Sequence, residues 1–90
     1  MKLKTDHGDF EIRDLTFADR RKLHRLEVAA LDIKTNEMKS DKFYDMLDWV
    51  MVFGFDQPAK LFADLDDNQV DEILIAAYNA YKGGISKKKS

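Results

Sequence analysis

Phe43-Tyr44-Asp45-Met46-Leu47-Asp48-Trp49-Val50-Met51-Val52-Phe53 is apolar at every position except Asp45 and Asp48. At 3.6 residues per turn the two aspartates fall on one narrow stripe, with Val52 next in line, and the rest of the cylinder is apolar. A helix of that kind belongs in the middle of a bundle or against another chain. The spacing predicts a helix over 41–53, capped by Ser40 and ended by Gly54 and Phe55. Within it, Trp49-Val50-Met51-Val52-Phe53-Gly54-Phe55 carries more apolar surface than a 90-residue chain readily encloses. Two readings stand. The run is either the central core helix or, in part, an exposed patch that holds another polypeptide, with Trp49, Met51, Val52, Phe53 and Phe55 as the candidate contacts. Trp49, Val52 and Phe55 are expected to stand outermost.

Upstream, residues 1–14 read as a β-hairpin. Leu3 shares a face with Thr5 and Phe10 with Ile12, while Lys2, Lys4, Glu11 and Arg13 take the other side, and Gly8 can supply the positive φ of a tight turn. In the expected register Leu3 faces Ile12 and Lys4 faces Glu11; Asp6 would then oppose Asp9 unfavourably, so a four-residue loop and a two-residue loop stand as equal alternatives. A lone hairpin is marginal in water, so its apolar face must lie on helices or on a neighbouring subunit. Thr16 and Asp19 then open a helix over 17–33, with Leu23, Leu26, Ala30 and Ile33 as its main apolar line. Phe17, His24, Val28 and Leu31 form a weaker second line on the opposite side. Residues 34–40 are polar and read as a connector.

Downstream, Pro58 starts a short helix over 58–63, as proline at a first helical turn forfeits no needed hydrogen bond. Asp66 and Gln69 form a capping pair for a last helix over 67–82, whose apolar face is Val70, Ile73, Leu74, Ala77, Tyr78 and Tyr81. Gly83 is expected to stop it, leaving 83–90 as a flexible basic tail. The expected architecture is mainly α: one domain over 1–82, with an N-terminal hairpin followed by three main helices and one short one.

Charge is unevenly spread. The formal net charge is −2, but residues 41–82 carry nine acidic groups against three basic ones, which disfavours phosphate backbones. Two basic clusters remain: Arg20-Arg21-Lys22 with Arg25, and Lys87-Lys88-Lys89. The first is a solvated helix face or a contact for an acidic partner or nucleic acid. The chain has no cysteine, so disulfides, thiolate metal sites and cysteine nucleophiles are excluded. No apolar run approaches a membrane span, and Met1-Lys2-Leu3-Lys4 does not read as a signal peptide. The expectation is a soluble, intracellular protein.

Catalytic chemistry is not written into these residues. His7 falls in the turn and His24 on a helix, and neither has a ligand partner four residues on. Counting a calcium loop from Asp64 puts Gln69 where glycine turns the chain and Ile75 where a bidentate glutamate closes the site. No glycine-rich phosphate loop is present, and no nucleophile sits beside a base. No enzyme activity, cofactor or metal is expected.

The order of elements resembles the small tail assembly chaperones of tailed bacteriophages. The resemblance is carried by the strand pair Leu3–Arg13, the Leu15-Thr16-Phe17 entry into the charged helix Asp19-Arg20-Arg21-Lys22-Leu23, the apolar helix Phe43–Phe53, and the Asp64-Leu65-Asp66-Asp67 step into the closing helix. It covers residues 1–82 in layout. It implies a non-enzymatic factor in the host cytoplasm that keeps the helical tape-measure protein in solution and recruits tail-tube subunits, either as a monomer or as a homo-oligomer. A small virion or baseplate component fits the same layout. A separate reading makes the chain a modulator of nucleic acid or host transcription machinery acting through Arg20, Arg21, Lys22 and Arg25.

Overall fold

The computed structural model describes residues 1–32, 35 and 37–87. Alternation at the N-terminus produces an antiparallel pair, β1 (Lys2–Thr5) and β2 (Gly8–Glu11). Its register places Leu3 opposite Phe10 and Thr5 opposite Gly8, two residues away from the expected pairing. The two-residue turn Asp6-His7 is closed by Thr5, whose hydroxyl accepts from the His7 amide and donates to the Gly8 carbonyl. This register also sets Lys4 against Asp9 and Lys2 against Glu11, so the clash of Asp6 with Asp9 never arises. A shift of two preserves side-chain parity, and Leu3 and Ile12 both remain buried. Gly8 has φ +123°, a conformation that L side chains rarely adopt.

The mainly helical remainder comprises α1 (Phe17–Ala30), a two-residue bridge between β3 (Leu31–Asp32) and β4 (Glu37–Met38), α2 (Ser40–Gly54), α3 (Pro58–Leu61) and α4 (Asp67–Lys87). Helix α1 stops three residues before the expected end. Leu31 turns extended and pairs with Met38, and the Ala30 carbonyl accepts from the Lys39 amide rather than from a further helical turn. Helix α2 begins at Ser40 itself, with Lys39 as its N-cap, so the expected Ser40 side-chain cap is not made. Gln57 enters α3 in the left-handed region, and its carbonyl accepts from the Lys60 and Leu61 amides. Asp66 and Gln69 exchange the two expected capping bonds at 2.8 and 3.1 Å. Helix α4 runs through Gly83 and Gly84 to Lys87, past the expected stop. Each interior glycine costs about 1 kcal/mol relative to alanine, which a helix already anchored along its length can absorb. Ile33, Lys88 and Lys89, read above as a core residue and tail lysines, lie outside the described residues.

One core joins these pieces. Leu23 of α1, Met46, Leu47 and Val50 of α2, and Ile73, Leu74, Ala77, Tyr78 and Tyr81 of α4 pack together, and the hairpin closes one end through Leu3 and Ile12. There Phe10, Phe55 and Phe62 form a triangle of edge-to-face rings with centroids 5.1–5.9 Å apart. The Arg13 amide donates to the Gly54 carbonyl and the Tyr81 hydroxyl donates to the Arg13 carbonyl. The chain leaving the hairpin is thus pinned to the end of α2 and to the side of α4.

Candidate functional site

The α2 core line of Met46, Leu47, Val50 and Gly54 faces α1 and α4, which turns the opposite line of Asp41, Asp45, Asp48 and Val52 outward. Val52 is 70% exposed and forms the crest of the C-terminal turn. Met51 flanks it on one side. On the other, Trp49 and Phe53, one turn apart, stack with parallel rings 4.9 Å between centroids. All three flanking side chains are half-buried against the core. Of the candidate contacts, Val52 is therefore exposed, and Trp49, Met51 and Phe53 are half-buried beside it. Phe55 does not join them. The chain leaves the helix at Gly54 and turns Phe55 inward to 1% exposure, where it fills the space between Phe10 and Phe62. An apolar residue one step beyond a helix end follows the direction of the outgoing chain, not the helical period.

The α1 face is the second surface. Phe17, Arg21, His24 and Val28 recur at spacings of four, three and four on the side away from Leu23 and Ala30, and all are exposed. Phe17 is 68% exposed and Val28 49%. The Arg21 guanidinium lies 5.7 Å from the Phe17 ring centroid, within cation–π range. Phe17, Arg20, Arg21, His24 and Arg25 together line an open groove of about 330 Å³. Arg20 donates back to the Leu15 carbonyl at 3.1 Å, which fixes one wall. Three of the four residues in the expected basic cluster thus line one groove, with Arg21 over the Phe17 ring. Lys22 is exposed but lies outside the groove. Among the described residues, none of these four bases forms an ion pair.

The second apolar line on this helix is the signal for this surface; what the sequence could not show is that, among the described residues, no element covers it. Tyr44, 52% exposed beside the aspartate stripe of α2, was likewise counted only as one more apolar position.

The histidines are drawn into ordinary contacts. His7 Nε2 lies 2.5 Å from a Glu72 carboxylate oxygen and ties the hairpin turn to α4. His24 Nδ1 lies 3.8 Å from Glu27. Glu27 also accepts from the Tyr78 hydroxyl and lies 3.5 Å from Lys82, linking α1 to α4. Burial first, then the Glu27 carboxylate, pushes the Tyr78 hydroxyl above the ordinary phenol range. Among the described residues, no three His, Asp or Glu side chains converge to hold a metal ion, and no helix is long and apolar enough to cross a membrane. No family model matches the chain, and no match was found among curated proteins or solved structures.

Proposed function

We propose that this chain is a non-enzymatic binding protein that shields an apolar helix of a partner, in the manner of the phage tail assembly chaperones whose layout it resembles. The partner on that reading is the tape-measure protein, with the tail-tube protein as a second client. The observation that carries the reading is the uncovered end of α2. Val52 stands almost free, with Met51 on one slope and the stacked Trp49 and Phe53 on the other. Scattered exposed apolar residues are ordinary, but a crest with half-buried aromatic and methionine flanks is the form of a contact surface. Its acidic neighbours Asp45 and Asp48 suit a client helix with basic edges.

Trp49 is the only tryptophan, so its emission reports directly on the patch. Titration of the full chain with a helical tape-measure fragment should shift that emission to the blue. Val52→Asp, at an exposed position that leaves the core intact, should weaken the complex about tenfold or more, roughly 1.4 kcal/mol or above. Unchanged affinity of a folded Val52→Asp protein removes the patch from the proposal. Trp49 itself is a poor first target, because its ring supports Phe53.

A further inference from the structure

The two outward helix faces match each other. On α1, Phe17, Arg21, His24 and Val28 repeat at steps of four, three and four. On α2, Asp41, Asp45, Asp48 and Val52 repeat at the same steps. Each line spans twelve residues, and its eleven steps cover about 16 Å of helix. Helix α1 carries four bases against two acids, and α2 three acids against one base. All eight residues are exposed, and among the described residues neither Arg21 and Arg25 nor Asp41, Asp45 and Asp48 form ion pairs within the chain.

Laid together in opposite directions, the lines bring Phe17 to Val52, Arg21 to Asp48, and His24 with Arg25 to Asp45. Laid in the same direction, they bring Val28 to Val52, Arg21 to Asp45 and Arg25 to Asp48. Either way an apolar contact closes one end, and the central rows pair opposite charges. Because α1 and α2 already pack side by side within one molecule, the pairing partner for each outward face is found on another molecule.

We infer that the α1 face, Phe17, Arg21, Arg25 and Val28, docks on the α2 face, Asp45, Asp48 and Val52, of a second copy of this chain. The bases of one copy lie over the aspartates of the next, and the apolar contact at one end shields the nearest of those pairs from water. This contact overlaps the client patch at Val52, but its test uses no client and its outcome does not depend on one.

Charge reversal with complementation tests it. The full chain is measured by sedimentation equilibrium up to about 0.5 mM, at about 50 mM and again at about 500 mM salt. The wild-type mass should rise above 10.5 kDa with concentration, and less so at the higher salt. Arg21→Glu with Arg25→Glu makes both faces acidic, and Asp45→Lys with Asp48→Lys makes both basic. Each double variant alone should remain at the monomer mass, with self-association weakened at least about tenfold. An equimolar mixture of the two should recover the wild-type association, because each copy then offers the face the other needs. Circular dichroism of each variant establishes that the fold is retained. A wild-type chain that stays monomeric throughout, or a mixture that does not recover association, overturns the inference. A monomeric wild type that instead shifts a labelled DNA duplex in a manner abolished by Arg21→Glu assigns the α1 face to phosphate and overturns it too.

Discussion

Gly54 has no room for a β-carbon: one built there lies 2.9 Å from the Tyr81 hydroxyl and 3.8 Å from the Ile12 side chain. Its role is close approach rather than backbone freedom, because the following residue leaves the helix in an ordinary extended conformation. The Tyr81 hydroxyl cannot simply swing aside, as it donates to the Arg13 carbonyl at 2.7 Å. Gly54→Ala should therefore cost about 1–2 kcal/mol from crowding, net of the helix propensity alanine brings. In a Tyr81→Phe background the same change should be close to neutral, and a four-variant cycle of urea melts would expose that coupling. Burial, with smaller contributions from the Asp14 and Asp19 carboxylates, pushes the Tyr81 hydroxyl up to about 12 from an ordinary 10. The unfolded chain ionises first, so the stabilisation from keeping Tyr81 neutral is whole below pH 10 and is lost as pH climbs to about 12. Urea midpoints should fall over that window, and less steeply in Tyr81→Phe, which at neutral pH costs about 1 kcal/mol for its lost hydrogen bond.

Helix α1 depends on its first turn. The Asp19 carboxylate accepts from both the amide and the hydroxyl of Thr16, and the Thr16 hydroxyl in turn accepts from the Asp19 amide. The bond from the Thr16 amide is the largest influence holding the Asp19 carboxyl below its ordinary value of 3.8, followed by the Thr16 hydroxyl, with the Arg20 charge a smaller one. Thr16→Ala should cost about 1 kcal/mol at neutral pH. Since the folded-state value is depressed, the contribution is present above 3.8 and is lost as pH falls through the lowered value. The difference between Thr16→Ala and wild type in thermal melts should therefore narrow below that point. A difference that persisted undiminished in acid would mean that the threonine acts without its partner carboxylate. The end of this helix is less self-contained, since it is set by the pairing of Leu31 with Met38 across a connector.

On the scale of the whole molecule, the client patch and the self-docking line both lie on α2 and share Val52. Under the two proposals together, a client helix and a second copy of the chain exclude each other. Adding saturating client fragment to the self-associated protein should lower its mass, less that of the client, towards 10.5 kDa, as sedimentation velocity can follow. Residue spacing was sufficient to read the hairpin, the three main helices, the core faces of α1 and α4, and both capping pairs, because periodicity and capping are local and each residue carries its share of the signal. It also marked the basic cluster of α1 and the polar stripe of α2. Beyond it, besides the start of α2 and the run of α4 past Gly83, lay the hairpin register, settled by the bonds of Thr5 and the pairing of Lys4 with Asp9; the end of α1, settled by a strand eight residues further on; and the inward turn of Phe55. Each of these last three depends on which distant group the folded chain brings alongside. The same holds for the functional surfaces. An apolar residue has the same identity whether a neighbour covers it or not, and packing alone buries Phe55 while leaving Val52 and Phe17 in water.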